Sequence, residues 1–409
     1  MTDVQSALDL SADGYVIADR THHQRVRAIA DALLAAGMTG DELTSLGNDE
    51  TQPLDVRVAT RVAASRQRIA DGVPPLNVAV VIAMWGEQRR LRPPSDDNPT
   101  GEDSLHVKLD QLEWLLGDSP VSWRLYVVDD GDPDDSAAVA AERAALHESG
   151  ERVTVLRLGD VVPADEGPLA GLASVDDSRK GGAIVYGSAT AMADGADAVV
   201  MTDADNSVDL AQIGLLIGGF VDGADVVIGD RKSSDSVLVK AEARWGPGIV
   251  ALRHMQRMVG RQLFDRGLRD TQAAFKLYGR QALEPILAAP STFGFSFDSD
   301  WLYATIASDG VITTVPFAFI DSFAESASIT QGPMTTWESL LRGLVAAARA
   351  RGVDHDVEMA RVVDELADAG TLERVVAEVP PELEGIDPRR LGDPEVMSPS
   401  AMRSWIESL

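Results

Sequence analysis

Apolar residues recur along this chain with two different periods. Val26, Ile29, Leu33 and Leu34 fall on one helical face, with Thr21 placed to cap the helix and Gly37 to end it. A second helical stripe carries Val58, Val62 and Ile69 and stops at the linker-like DGVPP of 71–75. From Leu76 the texture changes to short β-rich runs at 76–84, 124–130, 152–158, 197–203, 224–230 and 310–319. Helical patterns separate them near 104–117, 136–149, 181–194 and 208–221. This alternation predicts an α/β sheet with parallel strands. Beyond Gln331 the helical period returns: Trp337, Leu340, Leu341, Leu344 and Val345 share one face, and Val362, Val363 and Leu366 continue a second stripe. The Pro-rich 378–395 segment reads as an irregular connection before a last short helix. The expected organisation is a helical extension over 1–75, an α/β domain over 76–335 and a second helical extension over 336–409.

Charge and composition narrow the function classes. With 65 acidic and 36 basic side chains the formal charge is -29, which opposes a non-specific grip on nucleic acid or on an anionic membrane. The longest apolar stretch, Ile213 to Val221, is broken by Asp222, and the N-terminus has no signal-like pattern, so no membrane span is expected. The chain has no cysteine, so a metal would take oxygen or imidazole ligands, and a cytoplasmic setting is expected.

Three of the β runs end in aspartate, at 129, 203 and 230. Ligands of open α/β sheets bind outside the carboxyl ends of the strands, so these residues are expected to rim one cleft. Asp203 and Asp205, two apart in VVMTDADNS, can converge on one ion, and hard carboxylate oxygens suit Mg²⁺ or Mn²⁺. A calcium loop is disfavoured by Val208 and Gly214 where glycine and glutamate are needed. VVDDGDPDDS offers Asp129 and Asp130 to ribose or base groups, or simply builds a turn. SRKGGAIVYG brings Arg179, Lys180 and two glycines to the start of a helix, without Walker spacing, either near a phosphate or as a surface turn. GDRK adds Arg231 and Lys232 at another strand end. Asp298 and Asp300, flanked by Phe293, Phe295, Phe297 and Trp301, are candidates for a general base or for caps in an aromatic core. The six histidines are scattered and form no ligand cluster.

In chain order, VVIAMWGEQRRL, RLYVVDDGD, RKGGAIVYG, VVMTDADNS, IGDRK, RDTQAAFKLYGRQAL and FSFDSDWLY resemble the family 2 glycosyltransferases, most closely the dolichyl-phosphate glucosyl- and mannosyltransferase branch. The resemblance covers roughly 76–330. It implies the GT-A nucleotide-diphospho-sugar transferase fold, a Rossmann-like mixed sheet flanked by helices. It also implies donor binding by Glu87, Asp129, Asp130, Lys180, Asp203 and Arg231, and a Mg²⁺ or Mn²⁺ ion on Asp203 and Asp205. An acceptor or phosphate loop of Asp270, Thr271 and Gln272 and catalytic carboxylates Asp298 and Asp300 complete the set. Two departures stand out. The first loop reads Ala83, Met84, Trp85, Gly86, Glu87 and Gln88 where the family has P-A-Y-N-E-E, and Ser207 stands where some relatives place a metal-ligating glutamine.

The resemblance thus implies an inverting, metal-dependent transfer of a hexose from a UDP- or GDP-linked donor, here to a soluble small-molecule acceptor. The competing readings are a phosphotransferase or phosphatase using one D-x-D aspartate as nucleophile, and a degenerate transferase that only binds a nucleotide or a partner. The helical extensions are candidate surfaces for a homodimer.

Overall fold

A computed structural model of the chain describes residues 4–12, 14–178, 180–240, 246–321 and 333–409. Four helices open it: α1 (Val4–Leu8), α2 (Arg20–Ala35), α3 (Gly40–Asn48) and α4 (Leu54–Ala70). The α2 cap is Asp19, whose carboxylate accepts from the Thr21 N–H, so Thr21 lies inside the first turn and does not cap the helix. An aspartate and its Thr neighbour compete for the same role, and the shorter reach of Asp19 to the free N–H groups wins.

The central sheet has the order β3-β2-β1-β4-β7-β5-β8. Its strands are β1 (Leu76–Met84), β2 (Val121–Asp129), β3 (Val153–Arg157), β4 (Ala198–Thr202), β5 (Val226–Gly229), β7 (Phe275–Gly279) and β8 (Ile312–Val315). The helices between them are α5 (Ser104–Leu116), α6 (Ser136–Ala145), α7 (Gly181–Ala193), α8 (Ile213–Val221), α9 (Ile249–Val259), α10 (Arg261–Phe264), α11 (Arg280–Ala288) and α12 (Phe297–Ala307). The sheet is mixed, because β7 runs antiparallel between β4 and β5, pairing Val200 and Val227 with Leu277. Its sequence, FKLYG, hides a strand behind a lysine that is 0 % exposed. The 310–319 run is two strands rather than one. Pro316, which has no N–H, separates β8 from β9 (Ala318–Ile320), and β9 pairs in parallel with β6 (Val237–Val239) in a small second sheet.

Strand residues alternate between two cores. Val78, Val80 and Ile82 face a cluster shared with Val26, Ile29, Leu33, Val58 and Val62 of the N-terminal helices and with α5 and α8. Ala79 and Val81 face the other cluster, with α7, α9 and α12. There they meet the C-terminal helices α13 (Pro333–Ala350), α14 (Val357–Leu366), α15 (Ala369–Ala377) and α16 (Pro399–Ser408). Each extension is an outer layer on one face of the sheet. The apolar stripe of Trp337, Leu341, Leu344 and Val345 is therefore buried against its own chain. Gly343 allows a close approach: a β-carbon there would stand 2.1 Å from the Ser296 side chain.

Candidate functional site

The D-x-D turn follows β4 at the carboxyl edge of the parallel strands. A network beneath it fixes its shape. Lys108 of α5 is 1 % exposed and donates through Nζ to the Asp205 carbonyl at 2.5 Å. The Glu102 carboxylate accepts the Asn206 N–H at 2.8 Å and Arg90 Nε at 3.2 Å. Asn206 Nδ2 reaches the carbonyls of Ile17 at 3.1 Å and Glu102 at 3.0 Å, so the N-terminal extension supports the turn directly. Ser207 sends its N–H back to Asp205 Oδ1 at 3.1 Å.

Above this base the carboxylates crowd. Burial pushes the Glu87 carboxyl up to about 7; Arg90, which is ion-paired to it, opposes this, and Asp205 and Glu102 add to it. Burial, with the neighbouring Asp203 and Glu102, likewise raises Asp205 to about 6, against the pull of Arg90 and Lys108. Desolvation works against ionisation at Asp203 too, but the charge and hydrogen bond of Lys180 hold it below the ordinary carboxylate range. Asp203 keeps 43 % of its side-chain surface exposed, which places it at the mouth of the cleft.

Lys180 is the pivot of the site. It precedes α7 with φ +72° and ψ -41°, a conformation that costs a residue with a β-carbon about 1–3 kcal/mol and marks sites where the surroundings enforce it. Its N–H donates to Asp130 Oδ2 at 2.7 Å while its ammonium reaches Asp203. The two following glycines serve packing. Gly182 donates its N–H to the Phe293 carbonyl at 3.1 Å, and a β-carbon on Gly181 would stand 2.6 Å from that same backbone. The α7 start is thereby joined to the loop leading into α12. Arg179, the other half of the basic pair, lies outside the described residues.

On the far side, Arg231 grips Asp270 with Nε at 2.7 Å and Nη2 at 2.8 Å and lies over the Phe319 ring. Burial opposes ionisation of Asp270, yet Arg231 holds its carboxyl below the usual range. Thr271 is buried and Gln272 half-buried, with Gln272 Nε2 3.5 Å from Thr271 Oγ1. Lys276, on β7, donates to Asp298 Oδ1 at 2.6 Å, which is why a lysine is tolerated inside a central strand.

The structure brings Glu87, Lys180, Asp203, Asp205, Arg231 and Asp298 to one cleft, with Asp270 behind Arg231. Asp129 and Asp130 stand beside it but turn inward. Asp129 Oδ1 accepts the N–H groups of Gly131 at 2.9 Å and Asp132 at 2.8 Å, and Asp130 binds Ser178 and Lys180. Asp300 points away. It is 0 % exposed and is held by Arg351 at 2.7 and 2.8 Å and by the Ser291 N–H at 3.1 Å. Arg90, Glu102, Lys108 and Asn206 are site residues that the sequence reading did not single out. The Glu102-Asp103 pair before α5 was a signal for Glu102; Arg90, Lys108 and Asn206 carried none. His106 and His147, distant in sequence, have ring centroids 5.2 Å apart where α6 packs on α5. His106 contacts Arg143 and His147 contacts Asp110.

Among the described residues no three Asp, Glu or His side chains converge as a closed metal site. A divalent ion here would take Asp203 and Asp205 from the protein and its other oxygens from phosphate and water, a donor set that fits Mg²⁺ or Mn²⁺.

No protein-family model matches the chain. It is similar to polyprenol monophosphomannose synthase of Mycolicibacterium smegmatis, 27% identical over 235 residues that make up 56% of this chain and 80% of that protein. Among solved structures, glucosyl-3-phosphoglycerate synthase from Mycobacterium tuberculosis in complex with Mn²⁺, UDP-glucose and phosphoglyceric acid overlaps 73% of this chain and 85% of that one, at a TM-score of 0.45 and 16% identity. A structure described as a mycobacterial protein overlaps 73% of this chain and 80% of its own at a TM-score of 0.46 and 17% identity. With its mixed sheet and its D-x-D turn at the edge of the parallel strands, the chain has an α/β fold of the GT-A kind, and it shares distant sequence similarity with that polyprenol monophosphomannose synthase.

Proposed function

We propose that the chain is an inverting glycosyltransferase that moves a hexose from a UDP- or GDP-linked donor to a small acceptor met in solution. The observation that carries the reading is Lys180, held in a strained backbone conformation with its ammonium on Asp203, at the rim where Asp205 and Glu87 are raised. Strain kept at a charged cleft is a cost that a ligand-binding role accounts for. The similarity to a synthase of polyprenol monophosphomannose supports the reaction class. The acidity of the chain, -29 in formal charge, disfavours an anionic lipid surface and favours a soluble acceptor.

In this reading Asp203 and Asp205 hold the divalent ion, which when bound neutralises charge on the diphosphate. Lys180 and Arg231 add fixed positive charge where the diphosphate departs. Asp298 is the proposed base. Lys276 takes its Oδ1 and orients the carboxylate, leaving Oδ2 to accept the proton of the acceptor hydroxyl. The acceptor oxygen forms its bond to the anomeric carbon as the bond to the diphosphate oxygen breaks, and that electron pair leaves with the nucleotide. Asp300 is proposed to act through position, by fixing α12.

The test is calorimetric titration of UDP, GDP and dTDP with and without Mn²⁺, on the native chain and on Asp205→Ala. Metal-dependent binding of one nucleotide, lost in the variant, is expected. Failure of all three nucleotides to bind would overturn the proposal, and phosphate-ester hydrolysis without a sugar nucleotide would point to the phosphotransferase.

A further inference from the structure

Two adjacent histidines near the start of α2 hold the segment that precedes it. His22 Nδ1 accepts the Val16 N–H at 2.9 Å, and His23 Nε2 lies 2.8 Å from the Ile17 carbonyl. Arg25 of the same helix donates Nη2 to the Gly14 carbonyl at 2.8 Å. Residues 14–17 are thereby fastened to α2 at three points.

The Ile17 carbonyl has a second donor. Asn206, which directly follows the second D-x-D aspartate, reaches it through Nδ2 at 3.1 Å. A carbonyl oxygen can only accept, so His23 Nε2 carries a proton. Facing Nδ1 are Gln111 Nε2 at 3.2 Å, the Tyr15 hydroxyl at 3.4 Å and Asp209 Oδ2 at 3.9 Å. Gln111 Oε1 accepts the Leu210 N–H at 2.9 Å, which fixes the orientation of that amide and turns its NH2 group toward His23. One run of hydrogen bonds therefore leads from Asn206 through Ile17, His23 and Gln111 to Leu210, the first residue of the helical turn Leu210–Gln212. It grips the D-x-D turn from both sides. His23 and Gln111 are 0 % exposed and Asn206 2 %, so water is not at hand to replace a bond that is lost.

We propose that His22 and His23 are positioning residues for the D-x-D turn, through which the N-terminal extension sets the place where Asp203 and Asp205 meet a divalent ion. Among the described residues neither histidine bonds to Asp203 or Asp205. The effect travels through Ile17 and Asn206 on one side and through Gln111 and Leu210 on the other. That the turn holds a metal rests on the glycosyltransferase reading; the grip on the turn does not.

The test uses the full chain with His23→Gln, His23→Asn and His22→Ala. Gln keeps an amide N–H at the reach of Nε2, whereas Asn ends short of Ile17. His22→Ala frees the Val16 N–H at a partly exposed side chain and so decides the matter even if His23→Asn does not fold. Hydrogen exchange over residues 204–210, read on metal-free protein, should quicken about tenfold in His23→Asn, less in His22→Ala, and stay near native in His23→Gln. Nucleotide affinity in Mn²⁺ should fall about tenfold in His23→Asn, with affinity in metal-free buffer unchanged and His23→Gln close to native. A merely structural role would weaken binding alike with and without Mn²⁺. Such an equal loss, or native exchange over 204–210 in either His23→Asn or His22→Ala, would overturn the proposal. Metal-dependent nucleotide binding with native exchange in the variants sinks the positioning role alone. Quickened exchange in a protein that binds no nucleotide keeps the grip on the turn and sinks the transferase.

Discussion

Arg351→Met should unseat the C-terminal helices from the helix that carries Asp298. Arg351 makes two hydrogen bonds to Asp300, at 2.7 and 2.8 Å, and a third to the Ala289 carbonyl at 2.8 Å. Asp300 is 0 % exposed, and among the described residues only the Ser291 N–H remains to it once the guanidinium is gone. Removing one partner of a buried ion pair costs about 3–5 kcal/mol. Three charge-assisted bonds at about 1.5 kcal/mol each give a similar total. With an unfolding entropy of roughly 2.1 cal/mol/K per residue over 409 residues, a cooperative melt should fall by roughly 3.5–6 °C. The assay is calorimetric melting of Arg351→Met, Asp300→Asn and the double variant. The double variant should be more stable than the sum of the singles predicts, by about 2 kcal/mol. A melting point lowered by less than about 1 °C, or simple additivity, would refute the reasoning. The series also separates the two roles of Asp300. A base in the cleft would lose turnover on Asp300→Asn without loss of stability, and the structure predicts that stability falls first.

Two further outcomes are expected. The metal-free protein should lose stability as pH rises from about 4.5 to about 7. Glu87, normally 4.5, is raised to about 7 and Asp205, normally 3.8, to about 6, so the folded state holds protons that the unfolded chain releases, and that stabilisation disappears through the folded values. Thermal melts over this range on native protein and Glu87→Gln should show the slope reduced in the variant; a melting point that rises with pH would contradict it. Gly343→Ala should cost about 1–3 kcal/mol in chemical denaturation, because its β-carbon would stand 2.1 Å from Ser296 just before α12, and an unchanged midpoint would show that the contact yields.

Much of the sheet was legible because strands buried on both faces read as continuous apolar runs, as LNVAVVIAM does over the nine residues of β1. The strand at 275–279 was not, since its Lys276 looks solvated until Asp298, 22 residues away, supplies the partner. Helix α3 carried a readable signal that was passed over, the Thr39 and Glu42 capping box. At the site, D-x-D spacing brought Asp203 and Asp205 together, and the same spacing misled at Asp298 and Asp300. On a helix, residues two apart point in different directions, so one meets Lys276 at the cleft and the other Arg351 in the interior. Lys108 and Asn206 act through a backbone carbonyl and through bonds to Ile17 and Glu102, contacts that no residue pattern encodes.

The reversed strand at the centre of the sheet also constrains how the chain folds. β4 and β5 are joined through α8, the short right-handed connection that ordinarily sets two parallel strands side by side. Yet they end up one strand apart, with Phe275–Gly279 between them. During synthesis both exist some 45 residues before their separator is made. Nascent chains must therefore leave that slot open, or reopen it after premature pairing. Sheet closure becomes a late, non-local event, and the two halves of the cleft become one body only when that strand arrives.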